Sequence, residues 1–357
     1  MGNTESSPEE LAKTKGGGES FNSLRTFATK SNEKADWSTY DNDDSSVEFI
    51  LDSDDGQKRL QDLKDSVGAD LKEKYPELVN FICTASLVFR NGDMNTASQR
   101  VQNYLQWRQK YLGTYEKIIL ENEPEILEIY NRNLFNVIEN VDAEGRCAVY
   151  IRLKYMDPTK ISPLSVLKTF HYSVMERIMK DHPICQKKGI YMIGDMGEAG
   201  FNNLDQRVPK AIMGAISKNF PVRLHKILMV RPIWILNIIF PIVRLFLSAK
   251  LQDRIKIVGN DPKLLKDYDL SMSKLPEVLG GTNTTYDFQK RTKEWIEEEK
   301  KFIVKTNNDS NNKKAGKEEG NETTTDKDDD TKKQAAKQTS DIAVENVVVD
   351  GDTAKES

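Results

Sequence analysis

The sequence predicts an α/β protein in which a mixed, mainly parallel sheet is flanked by helices and preceded by a small helical bundle. Three observations carry this prediction. Segments of strand alternation and segments of helical periodicity alternate between about residues 120 and 302. Residues 47–118 show only the helical spacing of apolar side chains. Polar, low-complexity stretches precede and follow both regions, so the middle of the chain supplies the core.

The two ends of the chain differ in composition from its middle. Hydrophobic residues make up 38% of the sequence, which is below the usual share of a globular protein. Residues 1–45 are rich in serine, glycine, asparagine and charge, and residues 303–357 contain no aromatic side chain. We therefore expect a flexible, disordered arm over 1–45 and a disordered charged tail over 303–357.

The region 46–118 predicts a helical module of three or four helices. Asn91-Gly92-Asp93 is typical of a turn between two of them, and the apolar spacing resumes from Thr96 to Leu112. The helix before that turn is indicated by an apolar stripe that consists of Leu78, Phe81, Ile82, Ala85 and Phe89.

Residues 119–285 form the predicted α/β domain. Strands are expected at 146–156, 189–196, 224–230 and 254–259. Helices are expected from Ser162, with Pro163 at the first helical position, and over 203–219 and 233–249. A last amphipathic helix is expected over 286–302, with Phe288, Trp295 and Ile296 on its apolar side.

Residues 220–256 combine bulky apolar side chains with a local excess of positive charge. The stretch carries one acid, Asp253, although the whole chain has a formal charge of -4. Its seven cations are Arg223, Lys226, Arg231, Arg244, Lys250, Arg254 and Lys256. Apolar residues among cations suit a surface that meets an anionic bilayer. Plain packing in the core remains the alternative.

The apolar part of this stretch is too short to span a membrane. Its longest uncharged run is the twelve residues 232–243, which include Asn237 and Pro241. A spanning helix needs about 20 apolar residues. We therefore expect a peripheral association with a membrane, endosomal or plasma, by a cytoplasmic protein.

The N-terminus and the cysteines fit that location. Residues 1–10 contain no apolar run typical of a secretory signal, whereas Gly2 and Ser6 match the pattern for N-terminal myristoylation. One myristoyl chain binds membranes only marginally, so a second contact would be required. The three cysteines, Cys83, Cys147 and Cys185, are odd in number and lack C-x-x-C spacing, so a disulfide scaffold is not expected and a reducing compartment fits.

The sequence contains no pattern typical of a catalytic site. It has no glycine-rich phosphate loop after a strand and no G-x-S-x-G elbow. The three histidines, His171, His182 and His225, share no metal-ligand spacing. We expect a binding protein, not an enzyme, with no cofactor, no metal ion and no nucleic-acid partner.

Six motifs, in order and at family spacing, resemble those of the CRAL-TRIO lipid-binding family. They are Ile193-Gly194-Asp195-Met196-Gly197, Asn219-Phe220-Pro221-Val222-Arg223, Arg231-Pro232-Ile233-Trp234, Arg244-Leu245-Phe246-Leu247-Ser248 with Lys250, Arg254-Ile255 with Ile257 and Gly259, and Leu275-Pro276-Glu277-Val278-Leu279-Gly280-Gly281. The resemblance covers about residues 60–285. Within the family, the chain is more similar to the α-tocopherol transfer and retinaldehyde-binding branch.

This resemblance implies an apolar cavity that holds one lipid, closed by a mobile gate helix over about 233–249. The residues that it assigns to the gate are Ile235, Ile239, Phe240, Val243, Phe246 and Leu247. The residues that it assigns to a phosphoinositide headgroup are Arg223, His225, Lys226, Lys250 and Arg254. Arginine and lysine suit that role because they donate charge-assisted hydrogen bonds to phosphate. A solvated basic face is the alternative interpretation of the second set.

Two positions depart from the family pattern. Val222 stands where the phosphatidylinositol-transfer branch carries a glutamate, and Arg244 stands where that branch carries the partner lysine. Without the acid, the pocket lacks an acceptor for inositol hydroxyls, which argues against phosphatidylinositol inside it. Pro241 lies in the middle of the predicted gate, where it should kink a helix.

The predicted function is to bind a single hydrophobic lipid and to transfer or present it at phosphoinositide-containing membranes. An alternative hypothesis is an adaptor that senses a lipid on a membrane, without transfer activity, and recruits partners through its tails.

Overall fold

The computed structural model describes residues 49–234, 236, 240 and 247–318, with the side chains described up to residue 304. The predicted arm, Gly2 and most of the predicted tail lie outside these residues. Within the described chain, the backbone forms α-helices at both ends and a five-stranded sheet between them.

Four of the helices before the first strand form the N-terminal helical module. They are α1 (Asp54–Asp65), α2 (Ala69–Lys74), α3 (Pro76–Phe89) and α4 (Met94–Leu112). The side chain of Asp93 accepts from the backbone N–H of Thr96 and so starts α4, and Gly113 ends it in the left-handed conformation. Helix α3 and the turn after it lie where the apolar stripe and Asn91-Gly92-Asp93 predict them.

The sheet has the order β1-β2-β3-β4-β5. Its strands are β1 (Phe135–Ile138), β2 (Ala148–Arg152), β3 (Ile190–Asp195), β4 (Leu224–Val230) and β5 (Ile255–Gly259). Strands β1 and β2 are antiparallel and the other pairs are parallel, so the predicted mainly parallel α/β sheet is confirmed. The sequence does not predict β1, because all four of its residues are buried and no alternation marks it.

The other helices flank the sheet. They are α5 (Pro124–Asn131), α6 (Pro163–His171), α7 (Pro183–Lys188), α8 (Arg207–Lys218), α9 (Ala249–Arg254) and α10 (Phe288–Glu318). Helix α6 continues into a π-helix, Tyr172–Ile178, and a final turn, Met179–Asp181. Short 3-10 helices lie at Leu120–Asn122, Leu153–Tyr155, Phe201–Asn203, Pro262–Tyr268 and Glu277–Leu279.

Three predicted boundaries differ from the observed ones. Strand β2 ends at Arg152 because the chain then turns into the 3-10 helix Leu153–Tyr155. Helix α8 begins only at Arg207, since Phe201–Asn203 forms a separate 3-10 turn before it. Helix α10 continues past the predicted end at residue 302, because no proline interrupts it before Glu318.

The sheet is covered by apolar residues on both faces. One face, which includes Val149, Met192 and Ile227, belongs to the main core with the helices. The opposite face, which includes Tyr191 and Leu228, packs in a second core with the segment 265–279. Because both faces are covered, all six residues of β3 are buried.

A buried polar cluster joins α4 to the π-helix after α6. Arg108 Nη1 lies 2.5 Å from Glu176 Oε1, and both side chains are 1% exposed. Tyr104 lies between Arg108 Nη1 (3.1 Å) and His171 Nε2 (3.0 Å). Burial raises the pKa of Glu176, but Lys180 and Arg108 outweigh it and bring that pKa to about 2. The carboxylate is therefore ionised at neutral pH and satisfied by two cations.

Candidate functional site

The parallel pairing aligns four residues across one face of the sheet, near the carboxyl ends of its strands. Ile151 pairs with Gly194, Gly194 with Met229, and Met229 with Ile257. We call these four residues the apolar row. Because paired residues of neighbouring strands point to the same face, the row is one continuous apolar strip that passes over β2 to β5.

The next row toward the amino ends is better covered. Val149, Met192 and Ile227 are 0%, 6% and 8% exposed, whereas Ile257 in the apolar row is 44% exposed. Ile151 and Met229 are partly buried. Burial of this face therefore decreases from the middle of the sheet to its carboxyl edge. An apolar strip of this kind is suited to contact with an alkyl chain or ring.

Helix α8 presents apolar residues to the same core. Five of its side chains follow helical spacing and lie in the main core or pack against it. They are Val208, Ala211, Ile212, Ala215 and Ile216. Met229, Ile255 and Leu247 pack against that core as partly buried side chains. The helix, the sheet face and Leu247 thus belong to one apolar cluster.

Most predicted gate residues lie outside the described chain. These are Ile235, Ile239, Val243 and Phe246. Of the other two, Phe240 is helical and half-buried, and Leu247 is half-buried against the main core. At the start of the predicted gate, the exposed Trp234 packs edge-on against Phe201, with 5.5 Å between ring centroids. Among the helices of the described chain, none has the length and apolar character that crossing a bilayer requires.

A polar network holds the chain immediately before that segment. Arg231 Nε donates to Asp195 Oδ1 at 2.9 Å, and its Nη2 donates to Asp195 Oδ2. The same carboxylate accepts from Tyr150 Oη at 2.7 Å and from the backbone N–H of Gly197 at 2.9 Å. Burial raises the pKa of Asp195, but the hydrogen bonds from Arg231 and Tyr150 outweigh it and leave that pKa below its usual value.

Arg231 also contacts two other parts of the chain and so connects them to the end of β4. Its Nη1 donates to the carbonyl of Val278 at 3.1 Å, and its backbone N–H donates to the carbonyl of Gly259 at 2.8 Å. A Cβ on Gly197 would lie 2.6 Å from Arg231 Nε, so only glycine leaves room for the guanidinium. Arg231 itself has φ 50°, a conformation that a non-glycine residue rarely adopts. These contacts join the ends of β3, β4 and β5 to the segment 277–279.

The predicted phosphoinositide residues gather at the opposite, amino edge of β4 and β5. Arg223 and Lys226 lie at the start of β4, and the pairing of Ile227 with Ile255 places Arg254 at the same edge. Lys250 lies one helical turn before Arg254 in α9. The structure therefore places this predicted set at one edge of the sheet.

Three of these side chains have contacts that define them further. Arg223 donates to the carbonyls of Lys187 (2.9 Å) and Phe89 (2.8 Å), at the ends of α7 and α3. Lys226 Nζ lies 2.5 Å from Asp269 Oδ2. Burial, assisted by Arg146 and Lys226, lowers the pKa of His225 to about 4, so its imidazole is neutral at pH 7. Of the three, His225 supplies no positive charge to a headgroup.

The cysteines, the possible metal ligands and one surface depression are further candidate sites in the described chain. Cys83, Cys147 and Cys185 are all buried as free thiols. No group of three metal-binding side chains is found in the part of the chain that the structure describes. A depression of about 760 Å³ near Asn133, Lys154 and Asn203 has a lining rich in amides and charge, which suits an alkyl chain poorly.

Sequence reasoning missed the apolar row and the Asp195–Arg231 pair. Alternation along β3 and β4 could have placed Gly194 and Met229 on one face. No local signal could have paired Asp195 with Arg231, which are 36 residues apart, because that contact depends on strand register.

Comparison with known proteins finds one matching family model and several related chains. Residues 131–281 match the model of the CRAL/TRIO domain. The chain is 26% identical over 263 residues (68% of its length) to the phosphatidylinositol/phosphatidylcholine transfer protein SFH12 of Arabidopsis thaliana. It is 24% identical over 231 residues (62% of its length) to the human alpha-tocopherol transfer protein-like. The matches span about half (47%) of the Arabidopsis protein and 64% of the human one. The crystal structure of Sfh5 superposes with a TM-score of 0.45 at 13% identity, over 68% of this chain and 92% of that one.

Proposed function

We propose, from the premise that residues 131–281 match the CRAL/TRIO domain, that this chain binds one hydrophobic lipid against the apolar row. The carrying observation is the loss of burial along two neighbouring strands of this face. On β4 burial falls from Ile227, at 8% exposed, to the partly buried Met229, and on the edge strand β5 it falls from the partly buried Ile255 to Ile257, at 44% exposed. An apolar surface left partly uncovered within a core is stabilised by an apolar ligand at about 25 cal/mol per Å² buried. Two relatives support the same ligand class, since one is a phosphatidylinositol/phosphatidylcholine transfer protein and the other is an alpha-tocopherol transfer protein-like.

We further propose that the lipid enters through the segment 233–249, acting as a gate, at a phosphoinositide-containing membrane. The network around Arg231 would fix the start of that segment and Ser248, which caps α9, its end. The basic amino edge of β4 and β5 would meet the headgroups, with Lys226, Lys250 and Arg254 as the contacting cations. Arg223 would serve mainly to hold the ends of α3 and α7, because its guanidinium donates to both carbonyls. A myristoyl group on Gly2 would add the second membrane anchor.

We propose no catalytic step for this chain. The protein would bind a lipid, open its gate at a bilayer and release the lipid there, and opening of the gate would be the slow step. Phosphatidylinositol is not the proposed occupant of the pocket. Val222, at the position where the phosphatidylinositol-transfer branch carries a glutamate, is fully buried in the main core and offers no acceptor for an inositol hydroxyl.

The first test is the identity of the bound lipid. Full-length protein is purified without detergent, its organic extract is analysed by mass spectrometry, and native mass spectrometry counts the ligands. We expect one hydrophobic lipid per chain. A protein that carries no lipid, and takes up none from vesicles, would refute the proposal.

The second test is the role of the basic edge. The double variant Lys250→Ala, Arg254→Ala is expected to weaken binding to phosphoinositide-containing liposomes by about 30-fold, since each cation near an anionic surface contributes about 1 kcal/mol. Cosedimentation measures the affinity, and the extracted lipid should be unchanged.

A matched control removes the same charge elsewhere. Lys290 and Lys293 are exposed on α10, so Lys290→Ala with Lys293→Ala should leave liposome binding within about twofold. Equal losses in both double variants would indicate a response to net charge alone and would count against the basic edge as the binding surface.

The adaptor hypothesis is separated from the carrier by a transfer assay. A carrier moves labelled lipid from donor to acceptor vesicles in proportion to protein concentration, whereas an adaptor binds vesicles and leaves the label where it was. The chain has a net charge of -4, and its cations gather in 220–256. This charge distribution suits a carrier and an adaptor equally.

A further inference from the structure

Gly194 interrupts the apolar row with a position that has no side chain. It lies inside β3, and its backbone does not adopt the left-handed conformation that would itself require glycine. Glycine weakens a strand interior, and it often marks a place where another group approaches closely. Space, and not backbone conformation, is therefore the reason for glycine at this position.

The group that uses this space is the side chain of Met229 on the neighbouring strand. A Cβ on Gly194 would lie 3.1 Å from both Sδ and Cε of Met229. The thioether thus lies across the gap that glycine leaves. Met229 is also only partly buried, whereas Gly194 beneath its thioether is buried.

We propose that Met229, resting over Gly194, determines which lipid shapes the site accepts. Methionine is unbranched and has three rotatable bonds, so it can fill an irregular gap or leave it at small cost. When the thioether lies over Gly194, the row is even and suits a straight alkyl chain. When it turns away, the gap at Gly194 opens and admits a methyl branch or the edge of a ring. This inference rests on the proposed lipid site and adds its selectivity.

Ile227 provides a comparison residue that packs in the core but does not contact the gap at Gly194. Ile227 lies two residues before Met229 on the same strand and face, but it is 8% exposed and its partners are Met192 and Ile255. A change at Ile227 alters the packing of the core without reaching the gap. The two positions therefore separate selectivity from stability.

The experiment measures a ratio of affinities in the full-length protein. Dansyl-undecanoic acid serves as the fluorescent reporter, and hexadecanol and its methyl-branched analogue phytanol compete for it. Relative to wild type, Met229→Ala should shift the ratio about tenfold toward phytanol, the scale at which an apolar pocket discriminates a single methylene. Gly194→Val should shift it in the opposite direction, because its branched side chain fills the gap. Gly194→Ala, the smallest change, should shift it in the same direction as Gly194→Val.

A stiffer variant and a control variant bound the result. Met229→Leu conserves volume, but its branched side chain has fewer rotatable bonds, so it should leave the gap less readily and shift the ratio toward hexadecanol. Ile227→Ala should lower the melting temperature and leave the ratio unchanged. An unchanged ratio in both Met229→Ala and Gly194→Ala, or an equal shift in Ile227→Ala, would overturn the role of Met229 while leaving lipid binding intact. Failure of wild type to bind the reporter would instead refute the lipid site itself.

Discussion

Replacing Arg108 with methionine is expected to lower the free energy of unfolding by about 3–5 kcal/mol, the usual cost of breaking a buried ion pair from one side. Arg108 and Glu176 are each 1% exposed, so the remaining carboxylate would stay buried with Lys180 as its single cation. The variant also loses the hydrogen bonds from Arg108 to the carbonyls of Thr114 and Glu116. Urea denaturation followed by circular dichroism measures the change.

The control for this variant is Arg132→Met. Arg132 pairs with Glu128 one helical turn away, and their side chains are 33% and 53% exposed. An exposed pair of this kind contributes about 0.5 kcal/mol or less. Similar losses in the two variants would mean that burial does not set the strength of the Arg108–Glu176 pair. Adding Glu176→Leu to Arg108→Met should recover part of the loss, because no unpaired charge is then buried.

The variant Asp195→Asn is expected to lower the free energy of unfolding by about 2 kcal/mol, the range for a hydrogen bond between charged groups. The asparagine keeps the shape of the side chain but loses the charge that Arg231 binds through two nitrogens. Its amide N–H₂ group would also face donors, namely Tyr150 Oη and the guanidinium. If gating starts at Arg231, lipid transfer should change together with stability.

The effect of Asp195→Asn should depend on pH in one direction. The pKa of Asp195 is lowered in the folded state from a usual value of 3.8, so its stabilising contribution is complete above that value. It is lost as the pH falls through the folded-state pKa. The difference in stability between wild type and Asp195→Asn should therefore be constant from pH 7 to about 5 and shrink below about 4.

Asp269→Asn provides the comparison for Asp195→Asn. It removes the same charge from an acid that is 74% exposed and paired with Lys226. We expect a much smaller loss of stability, because solvent screens this exposed pair. A pH-independent difference for Asp195→Asn, or an equal loss for Asp269→Asn, would contradict the assignment of Asp195 as the anchor of Arg231.

The sequence by itself determined the elements that depend on local pattern. Helix α3 follows from its apolar stripe, α6 from Ser162 and Pro163, and β4 from its flanking turns, since spacing, caps and breakers act over a few residues. Strand β1 was not predicted from the sequence, because it is buried on both faces and therefore shows no alternation of apolar and polar residues.

The tertiary structure alone decided what depends on the register of the strands. Pairing placed Gly194 beside Met229, and it brought Asp195 to Arg231 across the ends of β3 and β4. It also showed Arg223 bound to the carbonyls of Lys187 and Phe89, where the sequence had suggested a headgroup contact. A residue's type limits the partners it can take, but which partner it meets is decided by packing between segments far apart in the chain.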